Sequence, residues 1–212
     1  MTTSSPVIMY SWGSIWPTPL RNAGDIARAF LALGISDLRQ AAYWVQSLPY
    51  GRNSRPENPL VVLEEKRGTC STKHALMKRL AVEQSVPMEL TVGIYEMSDK
   101  NTPGVGEVLK QFGLISLPEA HCYLWLRGKR IDLTGLRDQQ GREPIQNFLV
   151  EETIEPDEIT DYKIWLHKCV LRSWSARQRH MRHSIQNLWC IREECILALS
   201  NRDCPCANHS RN

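Results

Sequence analysis

The stretch Lys66-Arg67-Gly68-Thr69-Cys70-Ser71-Thr72-Lys73-His74-Ala75-Leu76 is typical of a cysteine placed on the first turn of a helix. Thr69 is the predicted N-cap, and the helix is expected to run from Cys70 to about Gln84. Unpaired peptide N–H groups at a helix start, together with the positive end of the helix dipole, stabilise a thiolate and lower the pKa of a cysteine. The stretch therefore predicts a reactive thiol at Cys70.

A histidine and an aspartate follow this cysteine. His121 lies 51 residues after Cys70, and Asp132 lies 11 residues after His121. Cysteine, histidine and aspartate in this order are the parts of a thiol acyl-transfer site. Each has an ordinary explanation when taken alone: a small buried core residue, a strand histidine and a surface carboxylate near a turn. The hypothesis of a site rests on their combination.

The region from His121 to Thr134 has the pattern of a hairpin with its turn at Arg127-Gly128. In that register Leu126 pairs with Lys129, and Tyr123 lies opposite Asp132. Strand side chains alternate between faces, so His121 and Asp132 would share a face as diagonal neighbours, a separation of about 7 Å. A loop of odd length would instead turn Asp132 to the other face.

These motifs resemble those of the transglutaminase-like branch of the papain-like cysteine enzymes, including its bacterial members. The family pattern is a basic residue, glycine, any residue and cysteine opening a helix, then a histidine-aromatic strand, then aspartate and threonine two apart. The matching positions here, within roughly residues 60–135, are Arg67, Gly68, Cys70, His121, Tyr123, Asp132 and Thr134.

The resemblance implies that Cys70 is the nucleophile, His121 the base and Asp132 its orienting partner. We expect no cofactor and no metal. It also implies an α+β papain-like core, in which the helix carrying the nucleophile packs on a small antiparallel sheet with flanking N- and C-terminal helices.

The donor that would stabilise an oxyanion is left open by the sequence. Six positions before the cysteine, where papain-type enzymes carry glutamine, this chain has Glu64, which cannot donate a hydrogen bond while ionised. The interval between His121 and Asp132 is also short for the family. The backbone N–H of Cys70 is one candidate donor, and Tyr50, Asn53 and Asn58 from the preceding loop are side-chain candidates.

The function expected from these residues is thiol-dependent acyl transfer on a peptide, protein or small amide substrate, with hydrolysis ranked before amine transfer. One alternative keeps the fold as a non-catalytic peptide-binding or assembly module. Another places nucleic-acid binding on basic residues near the carboxyl terminus, interleaved with Trp165 and Trp174. The basic residues are Lys168, Arg172, Arg177, Arg179, His180, Arg182 and His183. A helix with a solvated basic face and a buried aromatic face explains the same pattern, and nucleic acid is not an expected partner.

Two other groups of side chains also permit a chemical interpretation. His74 lies one helical turn after Cys70 and is an alternative base, although a structural or charge-modulating role suits a helix-borne histidine better. A zinc site is the second possibility, but its spacing fits no closed set of ligands. Its ligands would be Cys190, Cys195, Cys204, Cys206 and His209.

Length and composition indicate a globular protein with one substantial core. The chain has 212 residues, of which 42% are hydrophobic and 23% charged, and its net charge of +3 suggests no particular partner. No apolar run approaches the length of a membrane span, and the first residues lack a secretion signal, so we expect a cytoplasmic protein. Seven irregularly spaced cysteines are expected to be reduced.

The remaining pattern predicts one domain over residues 21–200, with core 60–135 and C-terminal helices within 161–200, between an N-terminal segment (1–20) and a disordered tail (201–212). Helices are predicted at 23–33 (cap Asn22), 36–48 (cap Ser36), 102–112, 161–179 and 184–200, a strand at 88–97, and a strand or a loop at 151–158. The last two helices carry apolar stripes. Their members are Tyr162, Trp165, Leu166, Cys169 and Trp174, then Ile185, Leu188, Trp189, Ile196 and Leu199.

Overall fold

The computed structural model describes residues 18–135, 143–178 and 182–203 and has an α+β architecture. The strands are β1 (Met88–Met97), β2 (Leu117–Leu126), β3 (Lys129–Ile131) and β4 (Phe148–Ile154). They form one antiparallel sheet in the order β3-β2-β1-β4. The helices are α1 (Asp25–Ala32), α2 (Leu38–Ser47), α3 (Val61–Glu65), α4 (Cys70–Glu83), α5 (Gly106–Gln111), α6 (Asp161–Arg177) and α7 (Ile185–Asp203), with a 3-10 turn at Pro156–Ile159.

Helix α4 lies at the centre of the structure. It packs on β1 and β2 and is covered by α1, α2 and the 3-10 turn. All of its residues from Cys70 to Met77 are buried, and so are Leu80 and Ala81 farther along. Because packing surrounds the first two turns, the position of Cys70 is fixed by tertiary contacts as well as by the helix itself.

The start of α4 is held by a capping box. The Thr69 side chain accepts a hydrogen bond from the backbone of Thr72, and the Thr72 hydroxyl accepts one from the backbone N–H of Thr69 at 3.1 Å. A Cβ at Gly68 would lie 2.9 Å from Thr72 Oγ1 and 3.0 Å from Lys73 Cγ, so only glycine fits before the cap without displacing its neighbours. The predicted cap at Thr69 is confirmed.

The hairpin has the predicted register. Leu126 pairs with Lys129, and Leu124 with Ile131, around the turn at Arg127-Gly128. Both turn residues have positive φ, 51° and 72°, the left-handed conformation that a two-residue turn of this kind requires. Continuing the register places Asp132, just beyond β3, opposite Tyr123.

Two helix starts differ from the prediction. Helix α1 begins after Gly24 instead of Asn22, and α2 begins after Asp37 instead of Ser36. The Asp37 carboxylate accepts the backbone N–H of Gln40 at 2.8 Å, and an ionised carboxylate is a strong partner for the unpaired N–H groups of a first turn. Strand β1 has the predicted bounds.

Helix α6 buries a more polar face than the predicted stripe. Leu166 and Trp174 are buried as expected, but Trp165 is 57% exposed, and Lys163 and His167 are buried in its place. The prediction from hydrophobicity that Trp165 is buried is therefore wrong. Helix α7 buries Leu188, Ile196 and Leu199 and extends to Asp203, so the predicted tail lies outside the described residues except for 201–203.

No helix in residues 18–135, 143–178 and 182–203 is both long enough and apolar enough to cross a lipid bilayer.

Candidate active site

Cys70, His121 and Asp132 meet between the start of α4 and the β2–β3 hairpin. His121 Nε2 donates a hydrogen bond to Asp132 Oδ2 at 2.8 Å, and the imidazole lies close enough to the Cys70 sulfur for the two groups to shift each other's pKa. Because Nε2 faces the carboxylate, Nδ1 is the ring nitrogen left for the sulfur. The structure thus brings together the three residues selected from the sequence, with the imidazole between the thiol and the carboxylate.

The orientation of Asp132 is fixed by Thr134. Asp132 Oδ1 accepts hydrogen bonds from the Thr134 hydroxyl at 2.6 Å and from the Thr134 backbone N–H at 2.9 Å. Both carboxylate oxygens are therefore occupied, one by Thr134 and the other by His121. This gives a physical reason for an aspartate and a threonine two positions apart.

Aromatic rings confine the imidazole. The Tyr123 ring stacks on His121 with an interplanar angle of 27°, and Tyr95 meets the imidazole edge-on at 6.2 Å between centroids. His121 and Tyr123 share a face of β2, so the histidine-aromatic pattern of the sequence corresponds to direct ring packing.

The charges of the site favour a thiolate and an imidazolium. The pKa of the Cys70 thiol is held well below its usual value by a hydrogen bond with Cys122, against the opposing effect of burial, with further lowering by the Lys163 ammonium and by His121. Burial acts to lower the pKa of His121, but the charge of Asp132 and hydrogen bonds with Asp132 and Cys70 raise it to about 9. Burial acts to raise the pKa of Asp132, but the charge of His121 and the hydrogen bond with it hold that pKa well below its usual value.

Three residues that the sequence analysis did not identify surround the sulfur. Ser71 Oγ accepts a hydrogen bond from Lys163 Nζ at 2.8 Å, and Cys122 Sγ lies 3.6 Å from the same oxygen. The Ser71 proton is then directed to the Cys70 sulfur, 3.9 Å away. Burial acts to lower the pKa of Lys163, but the nearby Cys70, Cys122 and Glu119 raise it, so the lysine stays charged.

A sequence signal for Lys163 does exist. It lies three positions before Leu166 and seven before Val170, in phase with the buried stripe of α6. A lysine at a core-facing position requires a polar partner, and that requirement marks it as a site candidate. Ser71 and Cys122 carry no comparable signal, because their proximity depends on how α4 packs against β2.

His74 is a neutral structural residue in this geometry. Its Nε2 accepts the backbone N–H of Leu133 at 2.6 Å, so its proton is on Nδ1, which donates to the Cys70 carbonyl at 2.6 Å. Burial is the main cause that lowers the pKa of His74 to about 4. Both nitrogens are committed to the backbone, which favours the structural interpretation of His74 over a role as the base.

The candidates for an oxyanion donor differ in their surroundings. Asn53 uses its amide N–H groups on Glu65 at 3.1 Å and on the Arg67 carbonyl at 2.9 Å. Asn58 donates to Glu64. Tyr50 is buried, lines the same cavity as Cys70, and has a pKa raised by burial and then by the Cys70 charge, so its hydroxyl keeps its proton. The backbone N–H of Cys70 remains a candidate, and Tyr50 is the side-chain candidate that lines the same cavity.

A cavity of about 530 Å³ leads to the sulfur. Its walls come from the start of α4, the loop after α2, and helices α6 and α7, and its lining includes Cys70, Tyr50, Lys163 and Trp189. The Cys70 side chain is only 6% exposed and contacts solvent through this cavity. A substrate carbonyl would reach the sulfur by the same path.

The basic carboxyl-terminal residues do not form a stacking surface with both tryptophans. Trp174 is buried and donates its indole N–H to Glu96 at 2.8 Å, whereas Trp165 is exposed. Arg179 and His180 lie outside the described residues. Trp174 therefore has a structural role.

The candidate zinc ligands are separated. Cys195 is buried and Cys190 is exposed on α7, and Cys204, Cys206 and His209 lie outside the described residues. Within the part of the chain that the structure describes, no three histidine, cysteine or acidic side chains are grouped to hold a metal ion.

Comparison of the chain with protein-family models, with curated proteins and with solved structures found no match, so the roles of these residues are argued from their geometry.

Proposed function

We propose that this protein is a cysteine-dependent amide hydrolase with a transglutaminase-like core and Cys70, His121 and Asp132 as its catalytic triad. The single observation that carries the proposal is the convergence of Cys70, His121 and Asp132 at a helix start that opens into a cavity, with His121 hydrogen-bonded to Asp132 and electrostatically coupled to Cys70. A buried structural cysteine requires none of these features, whereas a nucleophile requires all of them.

The chemistry begins with attack of the Cys70 sulfur on an amide carbonyl. The tetrahedral intermediate places negative charge on the former carbonyl oxygen, close to the first N–H groups of α4. His121 then gives its proton to the leaving amine, the C–N bond breaks and a thioester remains on Cys70. Asp132 keeps the imidazole oriented and stabilises its charged form throughout.

A water molecule completes the reaction. His121, now neutral, takes a proton from water as the hydroxide adds to the thioester, and the thiolate leaves as the acid is released. We rank hydrolysis before transfer to an amine because an amine acceptor needs its own binding site, whereas water needs none.

The test is conversion of a defined peptide mixture that includes glutamine side chains. Mass spectrometry distinguishes new chain termini, which indicate peptide hydrolysis, from side-chain deamidation. We expect wild type to produce one of these changes and the Cys70→Ala and His121→Ala variants to lose it by at least about 10³-fold. Cys190→Ala, which removes an exposed thiol outside the cavity, is the matched control and should keep full activity.

The proposal is wrong if Cys70→Ala converts the mixture as fast as wild type, or if wild type converts none of it and its Cys70 is also inert to small electrophiles.

A further inference from the structure

The charges that line the Cys70 cavity are unbalanced. The cavity contains four basic side chains, Arg52, Lys163, Lys168 and Arg192, but only two carboxylates, Glu119 and Glu193. We propose that the cavity selects acyl substrates that carry a carboxylate next to the scissile amide, and that Lys163 and Lys168 bind this carboxylate. The inference rests on the proposed function, because it names the substrate class of the same site.

The two carboxylates of the cavity are already neutralised by arginine. Glu119 accepts two hydrogen bonds from Arg192, each 2.6 Å long. Glu193 accepts one from another nitrogen of Arg192 at 2.8 Å and a further one from Arg52. These pairs account for both acids and both arginines, so the excess positive charge belongs to the two lysines, and a Cys70 thiolate offsets only one of them.

Lys163 is a buried ammonium group with spare donors. Its side chain is 8% exposed, and its hydrogen bond to Ser71 Oγ uses one of its three N–H groups. Within residues 18–135, 143–178 and 182–203, no carboxylate lies within ion-pair distance of it. A buried ammonium group with unused donors and no carboxylate partner attracts an anion strongly, because water screens its charge poorly.

Lys168 extends the positive surface along α6. It lies five residues after Lys163, and both line the cavity together with Ile164 between them. Its ammonium stands 4.8 Å above the centre of the Trp189 ring, which fixes its position without cancelling its charge. His167, on the same wall, has a pKa lowered chiefly by burial and adds no charge near neutral pH.

An anionic substrate therefore gains attraction from two cations, whereas a basic substrate is repelled. Lys163 is joined through Ser71 to the Cys70 sulfur, so the attracted group would lie close to the reacting carbonyl. The carboxylate of an aspartate or glutamate side chain, or a terminal carboxylate, has the required chemistry.

Two small alkylating reagents test the inference without knowledge of the substrate. Iodoacetate and iodoacetamide react in the same way: the thiolate attacks the CH₂ group, an S–C bond forms, the C–I bond breaks and iodide leaves. They have similar size and differ by one negative charge. The measured quantity is the ratio of their rates at Cys70, divided by the same ratio at the exposed Cys190 of the same protein.

We expect this normalised ratio to favour iodoacetate by about tenfold or more at low salt and to fall as salt is added. In Lys168→Met the ratio should fall severalfold. Arg172→Met removes a positive charge from an exposed position of α6 outside the cavity, so it should leave the ratio unchanged and serves as the matched control.

The possible failures have different meanings. If Cys70 reacts with both reagents in the same ratio as Cys190, the anion preference is wrong and the proposed thiol enzyme is untouched. If neither reagent modifies Cys70, both the proposed function and this inference are overturned. If Lys168→Met retains the full preference, the assignment of the carboxylate to these lysines is wrong.

Discussion

At the scale of single residues, the opposite pKa shifts of Cys70 and His121 define the reactive state. The thiol pKa is lowered and the imidazole pKa is raised to about 9, so thiolate and imidazolium coexist over the range between the two values. In the proposed reaction the sulfur would therefore be ionised before a substrate binds, and the proton for the leaving amine would already be on His121.

The first prediction concerns the dependence of activity on pH. Activity should fall as pH rises through about 9, because His121 then loses the proton that it must donate. Asp132→Asn removes the charge that raises the His121 pKa, so this fall should move towards neutral pH and the maximal rate should drop on the order of 10³-fold. A fall that stays in place in Asp132→Asn would contradict the assigned role of the carboxylate.

The second prediction concerns Cys122. Its hydrogen bond is the largest contribution to the low pKa of Cys70, so Cys122→Ala should raise the Cys70 pKa while the triad remains in place. Thiolate absorbance in the ultraviolet, followed against pH, measures the change. Cys195→Ala, which removes a buried thiol with a pKa raised to about 12 chiefly by burial, is the control and should not move the Cys70 titration.

At this scale the sequence predicted that Cys70, His121 and Asp132 lie together, but it did not predict their surroundings. Cys70, His121 and Asp132 lie in short local patterns that a helix start and a hairpin turn make interpretable. Lys163 is 92 positions after Ser71 in the chain, yet the two side chains are hydrogen-bonded. No local sequence pattern predicts a contact between residues so far apart. Partners from remote elements depend on packing, which single-sequence patterns do not contain.

At the scale of secondary-structure elements, His74 joins the helix of the nucleophile to the strand of the carboxylate. Its Nδ1–H binds the carbonyl of Cys70, and its Nε2 accepts the N–H of Leu133, the residue after Asp132. One side chain thus ties the first turn of α4 to the end of β3. The relative position of Cys70 and Asp132 depends on this connection.

The third prediction is that His74→Leu destabilises the fold in a pH-dependent way. At pH 7 the change leaves two buried backbone groups unpaired, which should lower the free energy of unfolding by about 2–4 kcal/mol. His74 has a pKa of about 4 when folded, below that of an unfolded histidine, so its stabilising effect is present at neutral pH and is lost as pH falls towards 4.

Urea unfolding of wild type and His74→Leu at several pH values measures this effect. Wild type should lose about 3 kcal/mol more than the variant between pH 6.5 and pH 4. A difference between the two proteins that stays constant across this range would show that His74 is not a buried neutral group.

Element bounds were predictable where one local signal dominated. The glycine turn of the hairpin fixed the strand register, and Thr69 fixed the start of α4. The starts of α1 and α2 were misplaced because several residues near each start can cap a helix, and the choice depends on tertiary contacts. At α1, for example, Glu83 of α4 accepts the backbone N–H groups of Ile26 and Ala27.

At the scale of the whole molecule, one ion pair links the carboxyl-terminal helix to the sheet. Glu119 lies two residues before His121 on the same face of β2, and Arg192 of α7 binds both of its oxygens. The pair is almost wholly buried and forms part of the cavity wall. Helix α7 therefore helps to shape the site although none of its residues belongs to the triad.

The fourth prediction is that Arg192→Leu destabilises the protein by about 3–5 kcal/mol, because it leaves the buried Glu119 carboxylate without its partner. The double variant Glu119→Leu/Arg192→Leu should recover much of this loss, since no charge is then stranded. Urea unfolding of the two single variants and the double variant measures the coupling. Strictly additive losses would mean that the pair does not act as a unit.

The α+β class was predictable from the alternation of helical and strand patterns, but the cavity was not. Its walls come from regions that are far apart in the chain, and its charge depends on which acids and bases pair across them. Composition showed only a net charge of +3 for the whole chain, which conceals the local excess of positive charge beside Cys70.

The central claim is that the Cys70 sulfur is ionised near neutral pH because of its neighbours. The most direct measurement is the rate of Cys70 alkylation by iodoacetamide against pH, resolved from the other cysteines by peptide mapping. The account predicts fast modification of Cys70 that persists well below pH 8, and a shift of its titration to higher pH in His121→Ala. A Cys70 that reacts only above pH 8, at the rate of an ordinary exposed thiol, would contradict it.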